Sequence, residues 1–360
     1  MRCPSTSFRS TAGSSPPTTI PPEPFVLSHS SAMKHKLLFA FALVLTAFFA
    51  RMANAADLVV YSSAPASLAK ALAAGYAKQS GQHVDLYTAS TGKIMARLAA
   101  EAAQPHADVV ILADWTAGLA LANQGLVLPY RPDAILKTLR PQVNAPGPFL
   151  PVGADVVGLV VNTHLVGDKQ APQDWADLTN AKWRGQLTMP DPTLSGTASD
   201  FVIAYAAHEG QKGWAWLDAL KANGCIWPGP NASALRPVEM GERSVMVAGV
   251  GHTALKAKLA GNSLDLIIPS SGVLLIPRPI IVMKSSHQAA AAERFVDFAM
   301  SPAGQADVAK SLLLPAVSSV PPAPVWPDSA LSHVLPVDWA ALTQQRKTVL
   351  ARFSHQILGR

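Results

Sequence analysis

The chain has 360 residues, 49% of them hydrophobic and 14% charged, with a formal net charge of +6. That length and apolar share exclude a disordered or fibrous protein and suit one large or two medium domains with their own cores. Five of the 29 basic and one of the 23 acidic residues precede Ala56, so the remainder carries only +2 and gives no argument for a nucleic-acid partner.

Residues 1–32 are rich in Ser, Thr and Pro, show no periodicity, and are not expected to fold. Met33 opens MKHKLLFAFALVLTAFFARMANA. Lys34 and Lys36 form a basic start, Leu37 to Ala50 an apolar run short for a bilayer, and Ala53-Asn54-Ala55 a small-residue cleavage motif. This pattern reads as a secretory signal peptide over 33–55, with Met33 the expected start and 1–32 an upstream extension. Cleavage after Ala55 removes Cys3 and leaves Cys225 alone, so no intrachain disulfide is expected. No Cys follows the cleavage motif to carry a lipid, and no later stretch is long and apolar enough to span a membrane. The expected product is soluble and periplasmic.

From Leu58 the pattern alternates. LVVYSS reads as a buried strand, and Leu68, Leu72 and Tyr76 then recur on one helical face that Gly81 should end. HVDLYTA and TGKIMARLAAEAA form a second strand and helix. ADVVILAD and TAGLALANQG form a third pair. Such β-α repetition predicts a mainly parallel sheet flanked by helices. A Pro-rich passage, Arg140 to Pro151, leads into the strand DVVGLVVN. Further strand and helix segments follow to Gly261, and VLLIPRPIIVMK forms a second apolar, proline-bearing passage. Helices are expected near Ala289 to Met300, Gly304 to Leu312 and Trp339 to Ile357. The two Pro-flanked passages suggest a chain that crosses between two lobes and returns. We therefore assign 56–152 plus 276–360 to lobe 1 and 153–275 to lobe 2.

Several of these segments together resemble the periplasmic solute-binding proteins of ABC importers, in the branch taking ferric ion, phosphonates and sugar phosphates. They are VVYSS, AGYAKQSGQHVDLYTASTGKIMARLAAEAAQPHADVVI, MPDPTLSGTASDFV, IPRPIIVMKSSHQAAAAERFVDFAMSPAGQ and LLLPA. The likeness covers nearly all of 56–320. It implies the type 2 periplasmic-binding fold, two α/β lobes on a two-crossing hinge, closing on a solute without catalysis. It also implies a monomer that serves an ABC permease in the inner membrane.

Ligands of open α/β sheets sit beyond the carboxyl ends of strands. Ser62 and Ser63 follow the first strand. Ser90, Thr91, Gly92 and Lys93 open the second helix, where N–H donors, the helix dipole and an ammonium suit an anion. A capped helix with a solvated lysine is the alternative, and Tyr87 rules out a Walker A loop. Asp114 and Trp115 end the third strand, facing an amine or sugar hydroxyl, or merely packing. Ser195, Gly196 and Thr197 start a helix in the second lobe, with Asp200 placed to pair with Thr197 as a cap. Asn231 and His252 lie in two further loops.

The expected cargo is a small phosphonate or organophosphate anion, with 2-aminoethylphosphonate among the candidates. Ferric ion is an alternative, but no Tyr-Tyr pair is present. A polyamine would need convergent carboxylates and aromatics, for which Asp114, Trp115 and Trp227 are candidates. An exported enzyme on phosphate esters is the remote alternative. Gly249 to Ala254 fits only a loose dinucleotide pattern, and G-x-S-x-G is absent. Nothing in the sequence calls for a cofactor or a resident metal.

Overall fold

The computed structural model describes residues 57–167 and 170–360. The signal peptide read at 33–55 and the extension at 1–32 lie outside the described residues. Strand β1 (Leu58–Ser62) is followed by helix α1 (Ala66–Ser80), strand β2 (Val84–Thr88), helix α2 (Thr91–Ala100), strand β3 (Val109–Ile111) and helix α3 (Trp115–Asn123). Leu68, Leu72 and Tyr76 are buried on α1, and Gly81 ends it at φ 74°, its N–H returning to Ala77 O. A residue without Cβ takes that left-handed φ at little cost. β1 pairs in parallel with β2 and β3, the arrangement that α1 and α2 as crossovers allow.

Beyond this edge the sheet is mixed rather than mainly parallel. After β4 (Val127–Leu128) the chain enters β5 (Leu150–Asn162), buried along its whole length. The first half of β5 lies antiparallel to β9 (Leu274–Met283), from Leu150 opposite Ile280 to Val157 opposite Leu274. Its second half lies antiparallel to β7 (Val245–Val250) and β8 (Leu264–Ile267). One long strand thus leaves the first group of elements and the other returns, which makes their pairing antiparallel. On the far side β6 (Leu187–Thr188) pairs with β7 in parallel, and β10 (Leu314–Pro315) lies antiparallel against β5.

The first proline-bearing passage runs into β5 and the second forms β9. β5 begins at Leu150 and takes in Pro151, so it starts earlier than DVVGLVVN suggests. Pro277 and Pro279 sit inside β9, where a central strand normally excludes proline. Pairing of β9 with β3 begins only at Ile280, opposite Ile111, so on that side no ladder needs their N–H groups.

The middle block supplies α4 (Gly196–Glu209), α5 (Gln211–Ala222), α6 (Asn231–Glu239) and α7 (Gly251–Leu259), and α8 (Ala289–Met300) and α9 (Pro302–Lys310) then pack on α1. The last helix, α10 (Trp339–Arg352), does not join them. It packs on α4 and α3, and residues 353–358 continue onto α5. Lys221 Nζ donates to Gln356 O at 2.7 Å, and the Arg352 guanidinium lies 4.0 Å from the Trp214 ring. Residues 339–360 therefore meet the middle block as well as α3 of the first group, while the sequence pattern assigns all of 276–360 to the first lobe. Trp339, Leu342, Phe353 and Ile357 are buried in one apolar cluster with Trp175, Tyr205 and Trp216 of the middle block and with Trp115 and Phe149 of the first group.

Candidate ligand-binding cleft

A cleft of about 220 Å³ lies between the two groups of elements. Its lining comprises Ser63, Ala64, Pro65, Ser90, Thr91, Ala113, Ser195, Gly196, Pro230, Asn231, Ala232, His252, Thr253 and Arg278. Five helices begin at this wall: α1, α2, α4, α6 and α7. The first N–H groups of a helix have no partner inside it. Four of these five starts also lack a side-chain cap, at Pro65, Ser90, Pro230 and Val250. Only α4 has one, where Ser195 Oγ accepts from Ala198 N–H at 3.4 Å. Converging uncapped helix starts give a positive, donor-rich surface.

Hydroxyls complete that surface. Ser63 Oγ and Thr91 Oγ1 share a hydrogen bond of 3.2 Å, and Thr91 Oγ1 accepts from Ala113 N–H at 3.2 Å. Ser195 Oγ lies 3.3 Å from Thr197 Oγ1, which also accepts from Asn231 Nδ2 at 2.8 Å. Thr197 itself is buried behind the lining.

The fixed charge in the cleft comes from the two crossing strands. Arg278, on β9, donates through Nη1 to Ser63 O at 3.1 Å and through Nε to Asp155 Oδ2 at 2.9 Å. Asp155, on β5, also faces His252 Nδ1 at 2.8 Å through Oδ1. Burial opposes the charge on Asp155, but Arg278 and then His252 hold its carboxyl below the usual carboxylate range. His252 Nε2 meets the Thr253 hydroxyl at 3.3 Å.

A second buried network stands beside the cleft. The Asp200 carboxylate on α4 accepts from Trp115 N–H at 2.6 Å and bonds the Thr116 hydroxyl, so it occupies the free start of α3. Asp114 and Asp200 are both fully buried. Arg346, from α10, donates through Nη1 to Thr116 Oγ1 and Ser199 Oγ, each at 2.7 Å. The same nitrogen stands 2.8 Å from Asp114 Oδ2, whose two oxygens receive no hydrogen bond. Two carboxylates thus share one guanidinium. Burial, then the neighbouring charge of Asp114, pushes Asp200 up to about 7.

Of the sequence-predicted residues, Ser63, Ser90, Thr91, Ser195, Gly196, Asn231 and His252 meet at the cleft. Ser62 is buried and its Oγ accepts from Ala64 N–H at 3.1 Å, holding the turn. Gly92 packs on the opposite rim, where an added Cβ would stand 3.2 Å from Thr193 O. Lys93 is exposed and outside the lining. Trp115 is fully buried, its ring 4.7 Å from Phe149 and its Nε1 donating to Pro146 O. Asp114 is engaged by Arg346 rather than turned to the cleft. The Thr197–Asp200 capping pair does not form, because Ser195 caps α4 and Asp200 serves α3.

Arg278, Asp155, Thr253 and Arg346 escaped the sequence reading. Two of them carry a signal in hindsight. Asp155 and Arg278 are the lone charges, of opposite sign, in strands β5 and β9, and a charge in a buried strand needs a partner.

The model for bacterial extracellular solute-binding proteins matches residues 104–345. A Sinorhizobium fredii protein named as an ABC transporter periplasmic-binding protein is 25% identical over 336 residues, which cover 89% of this chain and 92% of that one. A Salmonella paratyphi A protein named for binding 2-aminoethylphosphonate is 24% identical over 257 residues, 69% of this chain and 73% of that one. Among solved structures, the periplasmic binding protein AfuA of Actinobacillus pleuropneumoniae, with fructose-6-phosphate bound, matches at a TM-score of 0.77. It is 23% identical over 84% of this chain and 98% of its own. That fold is the two-lobed α/β architecture whose crossings are β5 and β9 here. The chain belongs to the bacterial extracellular solute-binding proteins.

Proposed function

We propose that the cleft captures a small phosphonate or organophosphate anion in the periplasm and that the protein hands it to the permease of an ABC importer. One observation carries this reading: five helix starts, four of them uncapped, converge with Arg278 and several hydroxyls on one small cleft. The names of the Salmonella and Actinobacillus relatives support the same ligand class. Arg278 takes the charged role that the sequence reading gave to Lys93. Ser63, Ser90, Thr91 and Ser195 supply hydroxyls, and Asn231 and His252 face the ligand from the second lobe. The lobes divide at β5 and β9, with α10 bridging α3 of the first lobe and α4 of the second. Ligand binding shifts an open–closed equilibrium toward the closed form.

Ferric ion fits the cleft poorly. The chain has five tyrosines, and all stand elsewhere. Tyr61 donates to Glu101, Tyr76 to Ala291 O and Tyr130 to Asp297, while Tyr87 packs on Tyr61 and Tyr205 on Phe201. A polyamine fits no better, because Asp114 is paired with Arg346 and Trp227 packs against Phe353.

A thermal-shift panel tests the reading. It contains 2-aminoethylphosphonate, fructose 6-phosphate, inorganic phosphate, ferric citrate and spermidine. A ligand at a hundred times its Kd stabilises by about 2.7 kcal/mol, a rise of several degrees in Tm. A rise confined to phosphorylated compounds is expected. A rise with ferric citrate or spermidine alone would sink the anion reading.

A further inference from the structure

We propose that Asp155 is a positioning residue: it fixes the ring hydrogen of His252 on Nδ1, leaves Nε2 facing the cleft as an acceptor, and so selects anions that carry a hydrogen-bond donor of their own. The ligand class in this statement rests on the anion reading above.

Asp155 is buried on a crossing strand, and its contacts leave it two tasks. Oδ2 receives Arg278 through Nε at 2.9 Å and Nη2 at 2.7 Å. Oδ1 faces His252 Nδ1 at 2.8 Å. Arg278 and His252 hold the acid ionised against its burial. A carboxylate has no hydrogen to give, so the hydrogen in the Oδ1–Nδ1 contact belongs to the ring. In a neutral imidazole that leaves the other nitrogen bare. Nε2 has the Thr253 hydroxyl at 3.3 Å, a long contact, and both residues line the cleft. The cleft therefore offers donors to an anion from the helix starts and Arg278, and one acceptor from His252. A ligand hydroxyl and a ligand ammonium both match that acceptor.

Asp155→Asn separates positioning from mere support. An amide has one acceptor oxygen, and the Arg278 fork claims it. Its N–H₂ then turns to His252 Nδ1, and the ring hydrogen moves to Nε2. The acceptor becomes a donor, and the advantage of a donor-bearing ligand disappears.

The test uses three phosphonates of one size at about pH 8, where an imidazole is ordinarily neutral. They are 2-aminoethylphosphonate, 2-hydroxyethylphosphonate and propylphosphonate. By calorimetry, at least one of the first two should bind the parent protein about tenfold tighter than propylphosphonate, the scale of one hydrogen bond to a buried group. The tighter of the two identifies the donor. Asp155→Asn should narrow the gap to within about threefold. Nitrogen NMR of the ligand-free ring should show hydrogen on Nδ1 in the parent and on Nε2 in the variant. Should Asp155→Asn not fold, His252→Phe removes both ring nitrogens, leaves the Asp155–Arg278 pair, and should narrow the gap equally. The proposal is overturned if propylphosphonate binds as well as the other two, if all three weaken together with the gap intact, or if the parent ring holds its hydrogen on Nε2. If no phosphonate and no inorganic phosphate binds the parent, the anion reading fails by itself. The ring spectrum then decides on Asp155: hydrogen on Nδ1 supports its assignment, and hydrogen on Nε2 overturns it.

Discussion

Arg346 Nη1 stands 2.8 Å from Asp114 Oδ2 and donates to Ser199 Oγ at 2.7 Å, so one guanidinium on the last helix ties the start of α3 to α4. Removing it leaves two buried carboxylates facing each other with no counter-charge. Arg346→Met is therefore expected to lower unfolding stability by about 3–5 kcal/mol, the range for one lost partner of a buried pair. Urea denaturation measures this. A change below about 1 kcal/mol would mean that the acids find protons or water without cost.

The same acids give the protein a pH-dependent stability. The value of about 7 for Asp200 lies above its ordinary 3.8. Between those limits the folded chain holds a proton that the unfolded chain has released. The stability from this site is thus full below about pH 4, falls as pH rises, and is lost by about pH 7, with a slope of at most about 1.4 kcal/mol per unit. Asp200→Asn removes the titration and should flatten that part of the curve. Denaturation midpoints collected from acid to neutral pH provide the comparison, and parallel curves for both proteins would refute the assignment.

Arg278 and Lys93 make a paired prediction. Arg278→Lys keeps the charge but loses the fork that reaches Asp155 and Ser63. Affinity for whichever phosphorylated compound raises Tm in the thermal-shift panel should drop about tenfold, within the scale of a charged hydrogen bond. Lys93→Ala should change affinity less than about twofold, because the side chain is exposed outside the lining. The reverse ranking in a titration would restore the sequence-based role of Lys93.

Gly196 sits where the two sides of the cleft touch. An added Cβ would stand 2.3 Å from Asp114 Oδ1 and 2.6 Å from Thr91 Oγ1. Gly196→Ala should hold the lobes apart and weaken ligand binding by on the order of 1–3 kcal/mol, the usual cost of overpacking. Small-angle scattering of the ligand-saturated variant should show a more open particle than the parent. Equal affinity and equal scattering would show that the contact relaxes without consequence.

Much of the fold is legible in the sequence because it is local. The α1 stripe of Leu68, Leu72 and Tyr76 and its Gly81 end follow from helical period and backbone freedom alone. So do the helix starts at Thr91 and Gly196, which brought Ser90, Thr91 and Ser195 into the site. What the sequence hides is pairing at a distance. Asp155 and Arg278 are 123 positions apart, and only the antiparallel register of β5 and β9 brings them together. Arg346 lies 232 positions beyond Asp114, on an amphipathic helix whose partner no local pattern names. Lys93 stands outside the lining for the opposite reason. Its place in the first helical turn is visible, but the direction in which the side chain leaves α2 is not.

The position of α10 has a consequence for how the protein is made. A chain that emerges from its N-terminus presents Asp114 and Asp200 long before residue 346. Until that residue arrives, the two acids have no guanidinium between them, and the apolar cluster that takes up Trp339 and Phe353 stays incomplete. The finished contact between the lobes is thus withheld from a fragment that stops short of residue 346. Neither the two-acid pocket nor the apolar cluster can be completed without the other, because the same helix supplies the missing piece of both.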